Sequence, residues 1–206
     1  NYINANYFFN YISYSLLSVI ILGMGALMIV FNNRDLKLRN GCSPLTATNI
    51  NLQFVMANLV FTFASWAMMV LLCLIIDFKN GFSLNTLCFI LNSLIFAFCS
   101  ASISYLIGNL VKGQNALPAI CNVVALGLSF ISGAFVPQEL LGASVLKIAS
   151  FTPNYWYVKA NNAIAGLTKF DYAHLKPVLS DMLIVVCFAA TFFAVALAIG
   201  KKRRYA

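Results

Sequence analysis

Apolar residues run through this chain in long blocks, and charge interrupts them at only a few places. Five stretches carry no Asp, Glu, Lys or Arg: Asn1 to Asn33, Asn40 to Ile76, Asn80 to Val111, Gly113 to Gln138 and Met182 to Gly200. A helix rises about 1.5 Å per residue, so about 20 apolar residues cross the hydrocarbon of a bilayer, and each stretch is long enough. The pattern predicts spans at about 10–31, 54–76, 86–111, 116–136 and 180–200. None of the blocks shows the period-two alternation of lipid-facing strands, which excludes a barrel. The predicted class is an all-α polytopic helical membrane bundle with about five crossings.

Two shorter segments differ. Gln138 to Ser150 and Asn154 to Ala165 read as helices too short to span, carrying Glu139, Lys147 and Lys159, and are expected to lie in or dip into one leaflet as re-entrant or interfacial elements within 137–167. Leu141, Val145 and Ile148 fall on one face of the first. Pro153 separates the two, Tyr155, Trp156 and Tyr157 are placed to seat the second at the membrane interface, and Gly166 ends it. The first span opens among Tyr7, Phe8, Phe9, Tyr11 and Tyr14, which suggest an aromatic belt at the outer headgroups.

Between the first two spans, within 32–50, Arg34-Asp35-Leu36-Lys37-Leu38-Arg39 predicts a short charged helix. It breaks at Asn40-Gly41 and turns at Ser43-Pro44, ahead of capping oxygens at Thr46, Thr48 and Asn49. The connections Asp77 to Ser83 and Lys112 to Asn115 are brief, which predicts sequential antiparallel packing of spans two, three and four. Small residues at Ala97 to Ser104 predict close helix approach. Asn92, Asn109 and Asn122 read first as packing glue and second as the lining of a path.

Composition sharpens the class: the 206 residues are 62% hydrophobic and 9% charged, far from the roughly 25% charged of a soluble domain. The formal charge of +8 is spread over loops and the C-terminus, which suits membrane topology better than nucleic acid. The run Lys201-Lys202-Arg203-Arg204 after the last apolar block sets the orientation by the positive-inside rule. The C-terminus is then cytoplasmic, with Arg34, Lys37, Arg39 and Lys112 on that side and Lys79, Lys147, Lys159, Lys169 and Lys176 outside. The chain starts without Met or a signal-peptide pattern and reads as the C-terminal part of something longer.

Chemistry adds little. The six cysteines form no CxxC pair and read as reduced packing residues, and no cofactor or metal site is expected. His174 stands alone in an outer loop, which argues against a membrane enzyme. A secondary transporter or channel is the alternative, but it calls for ionisable residues inside the spans, and Asp77 and Asp181 sit at span ends.

Nearly the whole chain resembles the permease subunit of ABC-2 type ABC transporters. The resemblance is carried by Ile131-Ser-Gly133-Ala-Phe-Val-Pro137, similar to that family's Gly-x-x-x-Pro element, and by the run to Pro153-Asn-Tyr155-Trp156-Tyr157, similar to its outer re-entrant helices and Pro-x-x-Tyr turn. Arg34 to Arg39 with Ser43-Pro44 resembles its cytoplasmic coupling loop. The chain departs from the family at Asp35-Leu36-Lys37, where Glu and Gly-Thr are frequent, and at Leu141-Gly142, where Leu-Pro is.

The resemblance implies a non-enzymatic transport subunit in the cell membrane. It implies pairing with a second permease, as homo- or heterodimer, and with a separate ABC ATP-binding subunit on the cytoplasmic side. It also implies an exporter of a drug, antibiotic, lipid or polysaccharide-like substrate. The chain has no GxxxxGK[ST] phosphate loop of its own. Arg34, Asp35, Leu36, Lys37, Leu38, Arg39, Ser43 and Pro44 would dock the ATPase, and Gly133, Pro137, Glu139, Pro153, Tyr155, Trp156 and Tyr157 would shape an outer gate.

Overall fold

The computed structural model describes residues 3–31, 33–42, 47–76, 83–111, 113 and 115–202. Ser43, Pro44, Thr46, Asp77, Lys79, Lys112, Arg203 and Arg204 lie outside these residues. The described residues form helices and turns with no strand: α1 (Ile3–Phe31), α2 (Arg34–Gly41), α3 (Ala47–Ile76), α4 (Leu84–Leu110), α5 (Ala116–Ser132), a 3-10 turn (Gln138–Leu140), α6 (Ala143–Ala149), α7 (Pro153–Ala165) and α8 (Tyr172–Lys202). Four of them, α1, α3, α4 and α8, contain stretches long and apolar enough to cross a membrane, and the 17-residue α5 is a shorter apolar helix.

Parallel helices α1 and α4 make the centre. Phe9 stacks on Phe89 at 5.0 Å, Ser104 donates its hydroxyl to the Ile20 carbonyl at 2.9 Å, and a Cβ added to Gly108 would lie 2.9 Å from the Met28 Cβ. Ala97, Cys99, Ser100, Ala101 and Ser104 of α4 are all buried, in keeping with the close helix approach that the small-residue run predicts. Helix α3 runs antiparallel along both, with Phe54 against Phe31 and Tyr105 at its start and the Trp66 indole donating to the Ser93 hydroxyl at 2.9 Å further on.

Helix α8 runs parallel to α4. Asn109 donates to the Ala196 carbonyl at 3.2 Å, and Tyr105 meets Phe193. Helix α5 packs along α1, with Leu117 over Gly25 and the Cys121 thiol donating to the Ser18 carbonyl at 3.6 Å. This corrects one expectation: α3 and α4 are sequential antiparallel neighbours, whereas α5 reaches past α4 to α1. Gly25 leaves the space that Leu117 fills, so the best groove for α5 lies on α1.

The outward faces are greasy. Leu183 on α8, Val123 on α5 and Ile75 on α3 are each more than 60% exposed, which water would penalise and lipid does not. Alternating directions put α2, the start of α3, the start of α5 and the end of α8 at one end of the bundle. At the other end lie the N-terminal turns of α1, the start of α4, α6, α7 and the start of α8.

Candidate functional site

At the first of these ends, α2 follows α1 after Asn33, whose side-chain oxygen accepts from the Asp35 amide at 3.1 Å and caps the helix. The Cys42 amide closes its last turn on the Leu38 carbonyl at 3.2 Å. Backbone positions Arg34 to Arg39 thus all lie on one short helix, as the sequence predicts. Asp35 and Arg39 are exposed, Leu36 is half-buried, and Leu38 is 61% exposed, a charged surface with an unpacked leucine in it.

The opposite end is built around the stop of α5. Gly133 takes φ of 96°, a left-handed conformation that favours glycine, and its amide closes on the Ser129 carbonyl. Helix α5 therefore ends at Ser132, four residues short of the expected 136. Phe135 in the turn that follows packs against Tyr11, Tyr14 and Phe130. Pro137 is exposed and its carbonyl accepts from the Leu140 amide at 2.9 Å, and Glu139 is exposed beside it.

The expected helix from 138 to 150 is divided. Gly142 lies between the 3-10 turn and α6, so Leu141 is outside the helix that holds Val145 and Ile148, and Ile148 is 65% exposed. The stripe is therefore not a core-facing one. Helix α7 matches its expected bounds: Pro153 takes the first turn, where a missing N–H costs nothing, and Gly166 follows the last. Asn85 of α4 caps that last turn, donating to the carbonyls of Ile164 at 2.8 Å and Leu167 at 3.0 Å.

The three aromatics at the start of α7 divide their work. Trp156 donates to the Ser150 carbonyl at 2.8 Å and meets Tyr155 edge-on. Tyr157 is fully buried, stacked on Phe96 at 4.4 Å, and its hydroxyl donates to the Phe9 carbonyl at 2.6 Å. Burial pushes its phenol above the usual range, so it stays a donor. Tyr157 and Phe9 are core residues here and not part of an interfacial belt.

Sequence reasoning missed what surrounds Tyr157. Asn92 donates to the Asn161 side-chain oxygen at 2.8 Å and to the Tyr157 carbonyl at 3.1 Å. Asn161 donates to Asn10 at 2.9 Å, Asn10 to Asn162 at 3.4 Å, and Asn162 to Gln138 at 3.4 Å. Gln138 ends on the carbonyls of Ser132 at 2.8 Å and Tyr155 at 3.3 Å. The signal was present as Asn161-Asn162 in an apolar helix and as Asn6 and Asn10, one turn apart on α1.

A second missed contact is the pair of Lys159 and Asp181, 3.2 Å apart, with Asp181 buried and the ammonium 4.6 Å from the centre of the Trp156 ring. Of the other polar candidates, Asn109 bonds across helices to α8, and Asn122 is exposed.

A family model described as ABC-2 family transporter protein matches residues 1–198. No curated protein and no solved structure is similar enough to the chain to match it.

Proposed function

We propose, because the chain belongs to the ABC-2 family of transporter proteins, that it is the permease subunit of an ATP-driven exporter, docked through α2 to a separate ATP-binding subunit. It is a multi-pass membrane protein, and its transport role follows from the family. The rest of this reading is physical. A short helix with exposed Asp35, Leu38 and Arg39 at the end of the bundle suits seating in a groove of a soluble partner. The same end collects the basic residues Arg34, Lys37, Arg39, Lys201 and Lys202, and the positive-inside rule makes it the cytoplasmic one in the cell membrane.

The α7 end is then outside. Gly133, Pro137, Glu139, Pro153, Tyr155, Trp156 and Tyr157 belong to an element too short to cross, and it acts as the outer gate. Two permeases, identical or different, enclose the path between them. The substrate is a drug, antibiotic, lipid or polysaccharide-like molecule.

The observation that carries the reading is α2, a capped, charged helix with an exposed leucine. Replacing Arg34 and Arg39 together by Glu is expected to weaken copurification with the ATP-binding subunit or to abolish substrate-stimulated ATP hydrolysis. Normal complex yield and normal export in that double variant would remove α2 from the coupling role and favour a transporter that works without an ATPase.

A further inference from the structure

The amides at the outer end form a chain with one direction, from Asn92 on α4 to Asn161 on α7, Asn10 on α1, Asn162 on α7 and Gln138 in the 3-10 turn. Both termini are pinned. The NH2 group of Asn92 donates to the Tyr157 carbonyl and that of Gln138 to the carbonyls of Ser132 and Tyr155, and carbonyls accept only. Flipping any one carboxamide would set oxygen against oxygen, which fixes the direction of the whole chain. Asn10, Asn92 and Asn161 are buried, which makes a broken link costly while α7 stays in place and cheap once it separates.

The chain ties together the elements that must part for this end to open: α1, α4, α7 and the turn after α5. Its surroundings also hold buried polar atoms that no protein group reaches: the side-chain oxygens of Asn6 and Asn92, the Ser129 hydroxyl and both polar atoms of Asn154. Polar atoms of this kind are satisfied where water reaches them, and an open arrangement of this end would admit it.

The geometry points to a latch: the directed amide chain from Asn92 to Gln138 holds the outer gate shut, and its release, with water taking up the freed amides, is the opening step. This rests on the exporter reading, in which the α7 end is the exit.

The test uses the full-length permease with its ATP-binding subunit in proteoliposomes, with every cysteine except Cys73 replaced by alanine. Cys73 is buried near the outer end of α3. Its reaction with a membrane-impermeant maleimide added outside reports opening. The parent should label slowly without nucleotide and faster with a non-hydrolysable ATP analogue.

Asn161→Ala, which removes two short buried links, should raise the nucleotide-free rate roughly tenfold, and Asn162→Ala, whose two links are longer and less buried, roughly threefold, with the trapped rate unchanged. Asn162 is exposed, so its variant folds even where Asn161→Ala does not. Folded variants that label as slowly as the parent without nucleotide overturn the latch, and an intact response of the parent to nucleotide then leaves the exporter reading standing. A parent whose labelling ignores nucleotide overturns both.

Discussion

The Tyr157 hydroxyl donates to the main-chain carbonyl of Phe9 at 2.6 Å across 148 positions of sequence. The two rings join one buried aromatic group, Phe9 on Phe89 and Tyr157 on Phe96, so α7 is fixed to α1 and α4 by a polar tip and an apolar body at once.

Separating those two contributions is direct. Tyr157→Phe keeps the ring and is expected to cost about 1 kcal/mol, one net hydrogen bond. Tyr157→Ala leaves a cavity beside Phe96 and should cost about 3 to 5 kcal/mol. Thermal unfolding in detergent measures both, and equal melting temperatures for the two variants would contradict the packing described.

Removing Lys159 strands the Asp181 carboxylate. With the lysine partly exposed, Lys159→Ala should destabilise by about 1 to 2 kcal/mol, less than for a fully buried pair. Replacing both, Lys159→Met with Asp181→Leu, should recover most of that loss. Unfolding of the single and double variants in parallel decides it, and a double variant weaker than the single would show that Asp181 has some other partner.

At Gly133 any side chain meets two obstacles. The left-handed φ is strained for alanine by about 1 to 2 kcal/mol, and the new Cβ would overlap the Gln138 side chain. Gly133→Ala should therefore lower stability and displace Gln138 from the Ser132 carbonyl. A melting temperature unchanged from the parent would exclude the turn as described.

Gly108→Leu tests the central helix pair. Its Cβ would press on the Met28 Cβ, a contact between two side-chain roots that no rotamer change relieves. Overpacking of this sort costs about 1 to 3 kcal/mol. A variant with both Gly108→Leu and Met28→Gly, which removes the opposing Cβ, should regain part of it, measured as folded yield by size-exclusion chromatography.

The crossings were legible in sequence because hydrocarbon demands the same thing of every residue facing it, whatever its neighbours. The bounds of α7 were legible too, since Pro153 and Gly166 act through their own backbones. Partner choice was not. Helices α1 and α4 show no single preferred apolar face, and what joins them is the stack of Phe9 on Phe89, the Ser104 hydroxyl and the absence of side chain at Gly108. The Asn161-Asn162 doublet was visible, but its partners Asn10 and Asn92 lie on other helices, and no local rule pairs residues so far apart. Leu141, Val145 and Ile148 have helical spacing in the sequence, but the chain is not helical at Gly142, which separates the first from the other two.

Helix α1 runs from Ile3 to Phe31 with no proline, and its glycines at 23 and 25 are filled over by Phe61 and Leu117. A rod of about 43 Å, at 1.5 Å per residue, then has no joint in which to lose a displacement. Asn33, just past one tip, starts α2; Phe9 and Asn10, near the other, hold Tyr157 and Asn161. A shove or twist received at the α2 tip must therefore reach the α7 tip at nearly full amplitude, and the way to mute it would be to put a hinge in the middle.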